Sequence, residues 1–138
     1  MIRKTTVACV LALMSLFVIQ AAGAETPRSA FLDSIQSSII KTIAAEDNTV
    51  EITLTDSVLT VLRVNSNQNA SSHGGRNNEA ASIAAVSAKA LETDEASASV
   101  HTIYVKYVRR VSSHPEGKVI DTVEFRKNST GAFEIHTS

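Results

Sequence analysis

A run of small, polar and charged residues at 73–79 offers the most localised chemistry in the chain. Gly74 and Gly75 allow the backbone to turn freely, and the residues that follow have the composition of a helix start. Unpaired N–H groups at a helix start attract anions. The forked guanidinium of Arg76 can bind a phosphate, a sulfate or a carboxylate through two hydrogen bonds. The candidate ligand-binding residues are therefore Gly74, Gly75, Arg76 and Asn77.

The same run also fits an ordinary helix start that follows a flexible loop. Asn77 or Asn78 can cap the helix, and Glu79 supplies the negative charge that the first turn favours. Anion sites usually show more donors than one short run provides, so a plain loop and cap is the favoured interpretation. Anion binding is the alternative.

Other residues that could do chemistry are scattered along the chain. The sequence contains no glycine-rich phosphate loop, no Gly-x-Ser-x-Gly turn and no His-Glu-x-x-His motif. Its one cysteine, Cys9, lies in an apolar N-terminal segment. Its four histidines, His73, His101, His114 and His136, lack the spacing typical of metal ligands. We therefore predict no catalytic residue, no metal site and no cofactor, and we favour a protein that is not an enzyme.

The N-terminus has the pattern of a secretory signal peptide. A short basic start precedes an apolar run at 5–19, and the sequence Ala-Gly-Ala at 22–24 follows as a cleavage site. The apolar run is shorter than the roughly 20 residues that a membrane-spanning helix needs, so an uncleaved anchor is the less favoured alternative. We expect removal of residues 1–24, export to the periplasm or the medium of a bacterium, and a cysteine-free mature chain at 25–138.

The charge of the predicted mature chain bears on its partners. Removing Arg3 and Lys4 from the 13 basic residues leaves 11 against 14 acidic ones, a net charge of 11 − 14 = −3 with histidine neutral. A mildly acidic chain with both signs interspersed is not typical of nucleic-acid binders. We therefore expect no nucleic-acid partner and no stable membrane insertion after cleavage. A protein partner at an exposed sheet edge or face is the expectation.

Hydrophobic spacing predicts a helix and a strand hairpin at the start of the mature chain. Apolar residues recur every three or four positions over 27–45, which is typical of an amphipathic helix. They then alternate with polar residues over 49–65, and Asp56-Ser57 interrupts the alternation as a turn between two strands. The polar composition of 66–78 predicts a long exposed loop.

The second half of the chain predicts one helix followed by three strands. Small apolar residues fill 78–91, as expected for a helix that packs closely on a sheet. Alternation indicates strands at 101–111 and 119–126, joined by a turn at 114–117. A hairpin loop with Gly131 at positive φ leads to a short final strand.

These elements predict a single α+β domain in which two helices pack on one face of a mostly antiparallel sheet of four to five strands, in the order α-β-β-α-β-β-β. The residues expected in the core between the helices and the sheet are Ile39, Ile43, Ile52, Leu54, Leu62, Ile83, Val105, Val123 and Phe125. The favoured function is that of a small exported, non-enzymatic binding or accessory protein. The alternatives are a small-ligand or anion-binding protein and a small exported hydrolase, each using residues 73–79.

Overall fold

The structure is a computed structural model that describes residues 28–137. The predicted signal peptide lies outside the described residues. Within this range, residues 34–137 belong to one compact unit. The helices are α1 (28–43) and α2 (His73–Glu92), and the strands are β1 (Val50–Leu54), β2 (Val58–Val64), β3 (Thr102–Val111), β4 (His114–Lys127) and β5 (Phe133–His136). Three short 3-10 turns, at Asp47–Thr49, Asn67–Ala70 and Glu95–Ser97, complete the order.

The five strands form one sheet in the order β1-β2-β3-β4-β5. Three of the four strand pairs are antiparallel, and the central pair, β2 with β3, is parallel. Parallel neighbours need a crossover connection, and α2 is that connection. The predicted class, two helices packed with a mostly antiparallel sheet, is therefore confirmed. The predicted hairpin at Asp56-Ser57 is confirmed too, since Leu54 pairs with Leu59 across it.

One face of the sheet carries the core. The inward residues of the central strands include Leu59, Val61, Ile103 and Val105, all fully buried. The helices add Ile35 and Ile39 from α1 and Ala80, Ile83 and Ala84 from α2. The small side chains of α2 let the helix approach the sheet closely. The predicted core residues that are buried are Ile39, Ile83, Val105, Val123 and Phe125, while Ile43, Ile52 and Leu54 are half-buried.

The core assignment of Leu62 was wrong. Leu62 pairs with Glu51 on one side and with Lys106 on the other, so it lies on the opposite, more polar face of the sheet. Because side chains alternate along a strand, buried Val61 fixes Leu62 on the other face. That face also carries Tyr104, Lys106, Thr122, Glu124 and Arg126.

The second helix begins at His73, five positions before the predicted start. Ser72 is the N-cap, and its hydroxyl accepts a hydrogen bond of 3.1 Å from the N–H of Gly75. A Cβ at position 75 would lie 2.8 Å from the Ser71 hydroxyl oxygen, so glycine fits where a larger residue would clash. The cap and this close approach outweigh the poor helix propensity of the two glycines. The loop predicted at 66–78 is correspondingly shorter.

The turn after β3 also differs from its prediction. Residues 114–117 lie in β4, and the hairpin turns at Ser112-Ser113, between the paired residues Val111 and His114. Gly117 has φ +79°, and a Cβ there would lie 2.5 Å from Val108 Cγ1. The glycine therefore serves a strand irregularity and not a turn. Gly131 has the predicted positive φ, +89°.

Candidate functional site

The predicted ligand-binding residues Gly74, Gly75, Arg76 and Asn77 all lie in the first turns of α2. The structure turns the Arg76 side chain toward the sheet. Its Nε donates a 2.8 Å hydrogen bond to Asp121 Oδ2 of β4, and its Nη1 donates to the Ser71 carbonyl oxygen at 2.5 Å. The guanidinium is thus already bound to a carboxylate within the chain.

Asp121 also binds His73, and these residues form one half of a group that we call the α2 polar cluster (Arg63, His73, Arg76, Glu79, Tyr107 and Asp121). Nδ1 of His73 lies 2.6 Å from Asp121 Oδ2, although the His73 side chain is 64% exposed. Burial raises the pKa of Asp121. Hydrogen bonds and charges from Arg76 and His73 outweigh burial and hold the pKa of Asp121 below its usual range.

The other half of the α2 polar cluster centres on Arg63, an inward residue of β2 that is only 4% exposed. Its Nε donates to Glu79 Oε1 at 2.9 Å, its Nη1 to Thr49 Oγ1 at 2.9 Å, and its Nη2 to Ser66 Oγ at 2.9 Å. A buried guanidinium is tolerated when an opposite charge and further acceptors surround it.

Tyr107 of β3 joins the two halves. Its hydroxyl lies 2.9 Å from the Arg76 carbonyl oxygen and 3.1 Å from Glu79 Oε1, and its single proton is shared between these two acceptors. Burial, followed by the charge of Glu79, raises the pKa of Tyr107 well above its usual range, so the hydroxyl stays protonated. The contacts of Arg63, Glu79 and Tyr107 were not predicted from the sequence. The available signal was Arg63 itself, at the inward position after Leu59 and Val61, where a charge needs a buried partner.

The chemistry of the α2 polar cluster is limited by these contacts. A histidine held by a carboxylate is the arrangement that orients a general base. In the part of the chain that the structure describes, however, no serine or threonine hydroxyl hydrogen-bonds to His73. His73 borders a shallow cavity of about 280 Å³ together with Asn77, Glu124 and His136, and Arg76 is not among its lining residues. Each cation and carboxylate that the cluster buries is paired within the chain.

In a second region two basic side chains are exposed and make no salt bridge within the described residues. Strands β3 and β4 continue past the last β2–β3 pair, Val64 with Val108, and form a two-stranded projection that we call the β3–β4 arm (residues 109–119). Val111 is 48% exposed and Val119 is 51% exposed. Arg109 and Lys118 lie directly opposite each other and are both exposed. Neither makes a salt bridge with any residue of 28–137.

The base of the β3–β4 arm is anchored by Asn65, which follows β2 and has φ +51°. Its side-chain amide donates to the Arg110 carbonyl oxygen at 2.8 Å and accepts from the Arg110 N–H at 2.7 Å. The Arg110 guanidinium also binds both carboxylate oxygens of Glu51, at 2.6 and 3.2 Å. The hydrogen bond from Arg110 holds the pKa of Glu51 below its usual range, against the effect of burial. The arm is therefore fixed at its base.

A third feature is an apolar groove between α2 and β5, which we call the α2–β5 groove. Two adjoining cavities of about 330 and 380 Å³ share Ala88 and Phe133, and the second is also lined by Ala81, Ala85 and Ile135. Ile135 is 47% exposed. Among the described residues no three metal-ligating side chains converge.

Comparisons with known proteins do not identify any of these features. The chain matches no family model, no curated protein and no solved structure. Within residues 28–137 no helix is long and apolar enough to cross a membrane.

Proposed function

We propose that this chain is a small exported binding protein of a bacterial cell envelope or medium, which acts without catalysis and binds an acidic protein surface through the β3–β4 arm. The observation that carries the proposal is the exposed pair Arg109 and Lys118, two cations directly opposite each other on neighbouring strands. Like charges in this position destabilise a strand pair. Carboxylates from a partner would remove that repulsion.

The surroundings of the cation pair fit a protein partner. Val111, which is 48% exposed, lies two positions after Arg109 on β3, so alternation places the two side chains on the same face of the arm. Val119 follows Lys118 directly and lies on the other face. A surface that combines an exposed aliphatic side chain with charges is typical of a protein interface and not of a small-ligand pocket. Asn65 and the Arg110–Glu51 pair fix the arm in advance, which lowers the entropy lost on binding.

The alternatives at residues 73–79 have less support. Arg76 already pairs with Asp121, so an added anion would compete with an internal carboxylate. A hydrolase would need a nucleophile beside His73, and in the described structure the contact of the His73 ring is with Asp121.

Photo-crosslinking tests the proposed partner. A photoreactive amino acid replaces Val111 in the full chain, expressed in the organism that produces it, and a matched variant carries the same group in place of exposed Thr53 on β1. We expect a discrete acidic crosslinked protein from position 111 and not from position 53. The product should disappear when Arg109→Ser and Lys118→Ser are added. Equal labelling at both positions, or labelling that ignores the two cations, would contradict the proposal.

Export has its own test, because binding through the arm does not depend on it. Intact-mass analysis of the protein recovered from the periplasm or the medium should show the loss of residues 1–24. Recovery of the full-length chain in the membrane fraction would contradict the export part of the proposal.

A further inference from the structure

Strand β5 forms one edge of the sheet. It pairs with β4 through Glu124–Lys127 and has no other strand neighbour among the described residues. Proteins usually block such edges with proline, bulges or inward charges. The free edge of β4 has such features, Pro115 and the irregularity at Gly117, whereas β5 contains neither proline nor glycine. An unblocked edge is suited to accept another strand.

The residues of β5 are complementary to β5 itself. In an antiparallel pair centred on Ile135, each Ile135 faces its copy, and Glu134 of one chain faces His136 of the other. The register with β4 places Glu134 beside Arg126 and His136 beside Glu124 within each chain. Each cross-sheet row then reads Glu124, His136, Glu134, Arg126 across the two copies, so that each imidazole lies between two carboxylates. Complementary polar pairs on adjacent strands stabilise their pairing.

The other face of the same strand is also self-complementary. Ile135 lies opposite Phe125, so Ile135 and Phe133 point to the face that the helices cover. There they border the α2–β5 groove, where Ala81 and Ala85 leave space beside α2. A second copy would bring another Ile135 and Phe133 against this groove. The exposed aliphatic surface of one chain would thus cover that of the other.

We infer that a second copy of this chain pairs with β5, in antiparallel register about Ile135, to form a two-fold symmetric dimer with a continuous ten-stranded sheet. The interface is isologous, since each contact between the two copies occurs twice. The inference does not involve the β3–β4 arm, so it stands or fails separately from the proposed function.

A disulfide at the symmetry axis tests the register. The experiment uses the chain with Cys9→Ser, so that an introduced cysteine is the only thiol. Facing residues of antiparallel strands have Cα atoms about 4.5–5.5 Å apart, a separation that a disulfide can span. We expect Ile135→Cys to give covalent dimers under mild oxidation. The matched variant Val119→Cys, at a similarly exposed site, should stay monomeric. Equal crosslinking of both variants would overturn the inference.

A charge exchange tests the pairing of Glu134 with His136. Sedimentation of the Glu134→Lys, His136→Glu and double variants is compared with wild type. Each single change should weaken dimerisation about 2- to 30-fold, because both symmetric copies of the carboxylate–imidazole pair are lost.

The double variant distinguishes contacts between copies from contacts within one. Both changes place like charges opposite Arg126 or Glu124 in the same chain, so recovery of dimerisation in the double variant must come from pairing across the two copies. Circular dichroism of each variant checks that the fold is retained. A wild-type chain that is monomeric at all concentrations, or a dimer that ignores these charges, would overturn the inference.

Discussion

The α2 polar cluster and the β3–β4 arm contain the same kinds of charged residue in opposite circumstances. Arg63 and Arg76 each lie within 2.9 Å of a carboxylate oxygen and are largely buried. Arg109 and Lys118 face each other in water. A buried charge must be compensated within the chain, because desolvation is expensive, whereas an exposed charge is screened and tolerated. The charged side chain in the run that first suggested binding, Arg76, is already paired within the chain. The exposed cations that could bind a partner lie on the β3–β4 arm.

The largest effect is expected from breaking the buried ion pair. Arg63→Ala leaves Glu79 without its guanidinium next to the core, and should reduce the free energy of unfolding by about 3–5 kcal/mol in urea denaturation. Arg109→Ala on the arm is the matched control and should change it by less than about 0.5 kcal/mol. Similar losses in both variants would remove the distinction between the two regions.

Arg76→Ala should have the next largest effect. The change removes charge-assisted hydrogen bonds to Asp121 and to the Ser71 carbonyl, and should reduce stability by about 1.5–3 kcal/mol. Arg76→Lys should lose less, since the charge remains without the fork. Thermal melts of wild type and Arg76→Ala in phosphate, sulfate and chloride should shift equally. A phosphate or sulfate stabilisation confined to wild type would instead support an anion site at 73–79.

Acid titration should show how much the charge of Asp121 contributes to stability. Its pKa is lower in the folded than in the unfolded chain, so its contribution to stability is present above the ordinary aspartate value, about 3.9, and is lost as the pH falls through the lowered folded value. The stability difference between wild type and Asp121→Asn should therefore be largest near neutral pH and shrink below about pH 4. A difference that is constant over this range would show that the charge of Asp121 contributes nothing.

The smallest expected effect is a gain of stability and not a loss. Lys118→Glu places a carboxylate opposite Arg109 and should raise the free energy of unfolding by about 0.2–1 kcal/mol. The same variant should lose the partner captured at position 111, because the cation pair no longer exists. Lys118→Gln, which removes the charge without replacing it, is the control. Its free energy of unfolding should lie between those of wild type and Lys118→Glu. A destabilised Lys118→Glu variant would argue that the cation pair is not repulsive in the free chain.

Local pattern predicted much of this fold but little of the site. The β1–β2 hairpin follows from alternation around Asp56-Ser57, and the helices follow from their apolar spacing. The start of α2 did not follow, because the Ser72 cap and the contacts of Arg76 with β4 override the loop tendency of Gly74-Gly75. The turn assigned at 114–117 failed for a related reason, since Gly117 serves close strand packing.

The α2 polar cluster could not be predicted because its members meet only in three dimensions. Arg63 meets Glu79 through the return of α2 across the sheet, and Arg76 meets Asp121 through the register of β4 beside β3. Neither register can be read from one local pattern. An inward arginine in an otherwise apolar strand face was the one available signal, and it indicates a buried partner without identifying it.

The parallel pairing of β2 with β3 has a consequence for how the chain folds. The β1–β2 hairpin and the β3–β4–β5 meander each form from neighbouring segments, so their loop-closure entropy is small. Leu59 and Ile103, by contrast, are 44 positions apart and meet only when α2 has returned across the sheet. Contacts of high sequence separation slow folding. We therefore expect β2 and β3 to pair last, joining the β1–β2 hairpin to the β3–β4–β5 meander, each of which can form separately.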